Sequence, residues 1–98
     1  MKILTILGAR PQFIKASIIS EKIRTKYKKR IKEIIVHTGQ HYDYEMSRIF
    51  FKQLKITKPK YFLNISKLNH FKMVGKMVFK LNNVFDKEKP NLVVVYGD

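Results

Sequence analysis

The sequence predicts an α/β protein: a three-layer, Rossmann-like parallel sheet with helices on both faces. Three observations predict it. Lys2 to Leu7 is a nearly continuous apolar run, the mark of a strand covered on both sides; Ile31 to His37 centres on the β-branched Ile34-Ile35-Val36; and Leu92 to Tyr96 is the most strand-like run of all. The stretches between them repeat their apolar residues at helical spacing. The resulting order, β-α-β-α-β-α-β, is the one that closes into a parallel sheet by crossover connections.

Each element follows from local chemistry. Pro11 opens the first helix, because the first helical position has no use for an N–H. Ile14, Ile18, Ile19 and Ile23 then recur along it as its expected buried face, up to about Tyr27. The β-branched centre Ile34-Ile35-Val36 marks the second strand, and Thr38-Gly39-Gln40-His41 the turn after it. Asp43 is a cap for a helix carrying Met46, Ile49, Phe50 and Leu54 on one face. Pro59 breaks that pattern, and Tyr61-Phe62-Leu63 is a short edge strand. From about Leu68 a longer helix shows Phe71, Val74, Val78, Leu81 and Phe85 at alternating spacings of three and four. Gly75 inside it predicts a close approach by a neighbour, since glycine there costs about 1 kcal/mol against alanine. Pro90 ends the helix, because the residue before proline avoids helical geometry.

A doubly wound sheet of order 3-2-1-4 places the first and fourth strands side by side. Its ligand crevice lies at their carboxyl ends, where the winding direction switches. That brings Gly8-Ala9-Arg10 beside Gly97-Asp98. A helix start offers free N–H groups and partial positive charge, and Arg10 and Lys15 add two full charges. The turn reads as a phosphate site or as an ordinary strand-to-helix turn with two solvated basic side chains. Asp98 reads as a general base, a hydroxyl acceptor, a metal ligand or a helix N-cap. One carboxylate makes no metal site, and no second Asp or Glu is placed to join it. Gln40 and His41 reach a sugar or phosphate from the second strand, or serve the turn itself. His37 and His70 have no partner pattern and read as ordinary polar residues. Ser17 and Ser20 lack the setting of a nucleophile elbow. No Gly-x-Gly-x-x-Gly and no Gly-Lys-Ser/Thr motif is present.

Composition narrows the classes. The 98 residues are 45% hydrophobic, enough for a packed core, and contain no cysteine. No apolar run spans a membrane and no signal-peptide core precedes the first strand, so a cytoplasmic protein is expected. The net charge of +14 raises a basic nucleic-acid-binding module as an alternative. Yet all but four of the 21 basic residues are lysine, whereas base and phosphate readers lean on arginine forks. The run Lys26 to Arg30 falls at a helix end, where it complements the dipole.

Three stretches carry a resemblance: Gly8-Ala9-Arg10-Pro11-Gln12-Phe13-Ile14-Lys15-Ala16, Val36-His37-Thr38-Gly39-Gln40-His41-Tyr42-Asp43, and Glu88-Lys89-Pro90-Asn91-Leu92-Val93-Val94-Val95-Tyr96-Gly97-Asp98. Together they resemble the non-hydrolysing UDP-N-acetylglucosamine 2-epimerase family, in order and spacing, over the opening quarter or so of the family's length. The resemblance implies that residues 1–98 are a partial N-terminal Rossmann-like domain of a glycosyltransferase-B-type fold. The rest of that domain and the C-terminal domain would lie beyond it, leaving these residues inactive alone. It implies interconversion of UDP-GlcNAc and UDP-ManNAc by elimination and re-addition of UDP, with no nicotinamide cofactor, in a homodimer of full-length chains. By that resemblance Arg10 and Lys15 bind the diphosphate, Asp98 is the catalytic acidic residue near the sugar, and Gln40 and His41 belong to a substrate-binding turn. The sequence departs from the family at Ile65-Ser66-Lys67-Leu68-Asn69-His70-Phe71, which lacks the family's glycines. Gln12 stands where many members have glutamate. Glutamine there resembles the branch that includes epimerases of UDP-2,3-diacetamido uronic acids, an alternative substrate class.

Overall fold

The computed structural model describes residues 1–8, 10–39, 49, 52–54, 58–63, 65 and 70–96, with backbone only at 10, 11 and 70. Its elements are β1 (Lys2–Leu7), α1 (Arg10–Lys26), β2 (Lys32–His37), β3 (Tyr61–Phe62), α2 (His70–Glu88) and β4 (Leu92–Val95). The four strands form one sheet in the order β3-β2-β1-β4, with every pair parallel. The expected order and the expected α/β class are therefore those observed.

Alternation along the strands sends neighbouring side chains to opposite faces. Leu4, Ile34 and Val36 face α2, where they pack with Leu63, Ile65 and Val84 and with half-buried Met73, Met77, Leu81 and Phe85. Leu7 and Ile35 face α1, where they meet Phe13 and Ala16, with Leu54 and Tyr96 at the margin. The sheet is thus the middle of three layers.

Both helices bury a different stripe from the one their periodicity predicts. Along α1, Phe13, Ala16 and Ser20 are buried together with Ile23, the one member of the expected face that is, whereas Ile14, Ile18 and Ile19 are exposed. The small side chains of Ala16 and Ser20 let the helix sit close to the sheet, and Phe13 fills the space at its start. Along α2, Met73, Met77, Leu81 and Val84 turn inward, and Phe71, Val74 and Val78 lie outside. Leu81 and Phe85 belong to the expected face and do reach the core. Gly75 is not a point of close approach: a Cβ added there meets nothing within 4 Å. Of the helix expected after Asp43, Asp43, Met46 and Phe50 lie outside the described residues. Ile49 is exposed, and Leu54 packs on the α1 side of the core.

The amino ends of the strands are tied by polar contacts. Asn91 donates its N–H to the Lys2 carbonyl at 2.9 Å and accepts the Lys2 N–H on Oδ1 at 2.8 Å. Buried Glu88, the last residue of α2, accepts Tyr61 Oη and Lys60 Nζ on one oxygen and Lys2 Nζ on the other. One carboxylate so joins α2, β1 and the approach to β3. Lys89 follows with φ 46° and donates its N–H to the Phe85 carbonyl at 2.8 Å. That left-handed residue closes the helix, and Pro90 prevents its continuation.

Candidate functional site

The carboxyl ends of β1 and β4 stand side by side, as the strand order requires. Their ladder runs from Ile3 opposite Leu92 to Ile6 opposite Val95. Beyond it β1 passes through Leu7 and buried Gly8 into α1, and β4 passes into Tyr96. Gln12, in the first turn of α1, connects the two sides. Its Oε1 accepts the Gly8 N–H at 2.8 Å, and its Nε2 donates to the Tyr96 carbonyl at 3.1 Å. The reach back from the first helical turn resembles a capping box, in which a side chain satisfies an N–H ahead of the helix.

Lys15 is exposed, three residues further along α1, and so shares a side of the helix with Gln12. Arg10 is the first residue of α1, at the end that carries partial positive charge. The Arg10 side chain, Gln40, His41 and Asp98 lie outside the described residues. The described part of the crevice is therefore the glycine turn, the α1 start, the Gln12 bridge, Lys15 and Tyr96.

Behind the crevice lies a polar cluster that sequence reasoning missed. The Glu33 carboxylate, between sheet and α1, accepts Thr5 Oγ1 at 2.9 Å and Ser20 Oγ at 2.7 Å. The phenol of Tyr96 points into the same layer, its hydroxyl buried and without a hydrogen-bond partner among the described residues. Burial, and after it the charge of Glu33, raises the pKa of that phenol. A glutamate and a serine at inward positions of otherwise apolar elements were the available signal.

The end of β2 is built around His37. Its ring is fully buried, edge-on to Phe13 at 5.2 Å and tilted against Phe62 at 4.7 Å. Nδ1 accepts the Gly39 N–H at 2.9 Å, which leaves the proton on Nε2. Burial lowers its pKa to about 4, so it is neutral at pH 7. The Thr38 N–H bonds the Leu7 carbonyl at 2.9 Å, and Gly39 takes φ 76°, open to glycine without strain. Thr38 and Gly39 thus leave the sheet beside the end of β1. Sequence spacing alone gave no sign that His37 is an internal brace.

At the opposite end, residues Arg24 to Arg30 line an open depression of about 670 Å³. It lies where α1 turns into β2, at the opposite end of α1 from the crevice. Among the described residues no group of His, Cys, Asp and Glu is arranged to hold a metal ion, and no helix is long and apolar enough to cross a membrane.

Comparison with known proteins agrees with this geometry. A family model described as UDP-N-acetylglucosamine 2-epimerase matches residues 23–98. The whole chain is 56% identical to the UDP-2,3-diacetamido-2,3-dideoxy-D-glucuronate 2-epimerase of Pseudomonas aeruginosa, of which it covers 27%. It is 47% identical to the UDP-N-acetylglucosamine 2-epimerase of Methanocaldococcus jannaschii, covering 26%. The crystal structure of a Methanocaldococcus jannaschii UDP-GlcNAc 2-epimerase with UDP-GlcNAc and UDP superposes on all of the chain, with a TM-score of 0.87 and 45% identity, over 26% of its own length. The Neisseria meningitidis enzyme bound to UDP-GlcNAc does so with a TM-score of 0.84 and 31% identity, again over 26% of that chain. The chain spans about a quarter of the length of the curated relatives it matches.

Proposed function

This chain belongs to the UDP-N-acetylglucosamine 2-epimerase family, and we propose that it forms the diphosphate-binding wall of such an enzyme's active site. The observation that supports this most directly is the crevice between β1 and β4, with the start of α1 and Lys15 on one side and the approach to Asp98 on the other.

In this reading Arg10, Lys15 and the α1 N-terminus hold the diphosphate and stabilise the charge that develops on it as it leaves. Asp98, two residues past Tyr96, acts at the sugar. A base takes the C2 proton while the C1–O bond to UDP breaks, giving a 2-acetamidoglucal and UDP. UDP then adds back to C1 as C2 is reprotonated on the opposite face. Gln40 and His41 extend the substrate surface from the end of β2. The chemistry needs no nicotinamide cofactor. The working enzyme is a cytoplasmic homodimer of family-length chains, of which residues 1–98 are a partial N-terminal domain without turnover of their own.

The substrate is UDP-GlcNAc or a relative bearing the same 2-acetamido group. The 56% identity to a UDP-diacetamido-glucuronate epimerase supports the second. Two experiments test the reading. UDP titrated into isotope-labelled residues 1–98 is expected to shift the resonances of Gly8 to Lys15; shifts scattered over the lysine-rich surface would refute the site. In D2O, a family-length protein is expected to place deuterium at C2 of one of the two sugar nucleotides, whereas residues 1–98 alone give the no-protein background.

A further inference from the structure

We propose that Gln12 is a positioning residue, whose carboxamide fixes the separation between the glycine turn and the end of β4. The backbone ladder between β1 and β4 ends at Ile6 and Val95. Beyond it, Gly8, two residues past Ile6, presents an N–H and Tyr96, one past Val95, a carbonyl, and Gln12 serves both, at 2.8 and 3.1 Å. A side chain from α1 thus supplies a further rung where main-chain pairing has stopped.

The two partners make opposite demands. Gly8 needs an acceptor and Tyr96 a donor. A neutral carboxamide carries one of each on a single planar group. A glutamate of the same length accepts from Gly8 but has nothing to donate to Tyr96, and its charge would oppose a carbonyl oxygen. Gly8 is buried, so its N–H loses its acceptor if Gln12 is truncated, and an unmet buried N–H is costly. Gln12 therefore couples the α1 start and Lys15 to the strand that leads to Asp98.

The role in ligand binding rests on the diphosphate reading given above; the bridge itself does not. The test uses residues 1–98 with Gln12, Gln12→Glu and Gln12→Ala. The parent is expected to show a coupling across the hydrogen bond between Gln12 Nε2 and the Tyr96 carbonyl carbon, and a slowly exchanging Gly8 amide. Gln12→Glu keeps the slow Gly8 amide. Gln12→Ala exchanges it about tenfold faster, as loss of one buried hydrogen bond implies. UDP affinity falls about tenfold in Gln12→Ala and less in Gln12→Glu, which keeps the Gly8 bond and loses the one to Tyr96, with unfolding midpoints near the parent's for the isosteric Gln12→Glu. Absence of the coupling in the parent, unchanged Gly8 exchange in Gln12→Ala, or unchanged UDP affinity in both variants would overturn the proposal. A parent with the coupling and the slow amide but no UDP-induced shifts would keep the bridge, remove its role in ligand binding, and sink the diphosphate reading.

Discussion

His37 Nδ1 accepts the N–H of Gly39 at 2.9 Å while Phe13 and Phe62 enclose its ring. The bond requires a neutral imidazole, and burial disfavours the charged one. The folded-state pKa is therefore lowered, from 6.5 to about 4. The unfolded chain binds a proton there at higher pH than the folded chain does. This contribution is complete above about pH 6.5 and is lost as pH falls to about 4. It amounts to roughly 3 kcal/mol. Urea midpoints across that window are expected to fall with pH in the parent and to stay flatter in His37→Phe. An equal slope in both would show that another group titrates.

Glu88 defines a second, more acidic window. The Lys60 hydrogen bond, and after it the one from Tyr61, lowers its pKa from 4.5 to about 2. The group is charged in the folded protein while the unfolded chain is already protonating. Its contribution is present above about pH 4.5 and disappears as pH falls toward 2. Glu88→Gln is expected to be less stable than the parent at pH 7 and to lose the slope between pH 4.5 and 2. The slope between pH 6.5 and 4 should survive, because His37 lies at the other end of the sheet.

The seating of α1 predicts a contrast between two of its apolar residues. Phe13 is wholly buried against Leu7, Ala16 and Ile35, whereas Ile18 is 71% exposed. Phe13→Ala is expected to cost about 3–5 kcal/mol through lost contacts and a cavity. Ile18→Ala should change stability by no more than about 0.5 kcal/mol. Chemical unfolding of the two variants measures both, and a reversed order would restore the stripe read from periodicity.

On α2, Gly75 sits in a helix interior with open space where a Cβ would go. Gly75→Ala removes backbone freedom from the unfolded chain without a clash. It is expected to stabilise the protein by roughly 0.5–1 kcal/mol. A loss of stability would mean that something packs against this position.

The strands were legible because each centres on adjacent apolar residues, Ile3-Leu4, Ile34-Ile35-Val36 and Leu92 to Val95; β4 nonetheless leaves Leu92, Val93 and Val95 exposed, so its run did not mark a strand covered on both faces. Their order followed from crossover geometry. The helix faces were less legible because α1 and α2 each carry two apolar stripes. Ile14-Ile18 and Phe13-Ala16-Ser20-Ile23 both satisfy a helical period. What decides between them is how closely the helix approaches the sheet, which depends on Ala16, Ser20 and the Glu33 beneath. The Gly8 turn and its neighbour β4 were readable as one crevice. The Gln12 bridge was not, because it joins residues 84 apart through one carboxamide. His37 was invisible for a similar reason: Phe13, Phe62 and Gly39 surround it only after folding.

The outer edge of β4 carries the last prediction. β4 pairs with β1 alone among the described strands, and Leu92, Val93 and Val95 are exposed. An apolar strand edge without charge is a template for pairing with another strand. The rest of the molecule carries a net charge of +14, which keeps copies apart at low ionic strength. Added salt screens that repulsion. Self-association of residues 1–98 is therefore expected to strengthen with salt, and Val95→Lys should return the chain toward monomer. Sedimentation at two protein and two salt concentrations reads both effects. Binding to nucleic acid through the Arg24–Arg30 surface would show the opposite dependence, weakening steeply as salt displaces phosphate contacts. Association that is insensitive to salt and to Val95→Lys would place the contact elsewhere, with the exposed Ile14 and Ile18 of α1 as the next surface to charge.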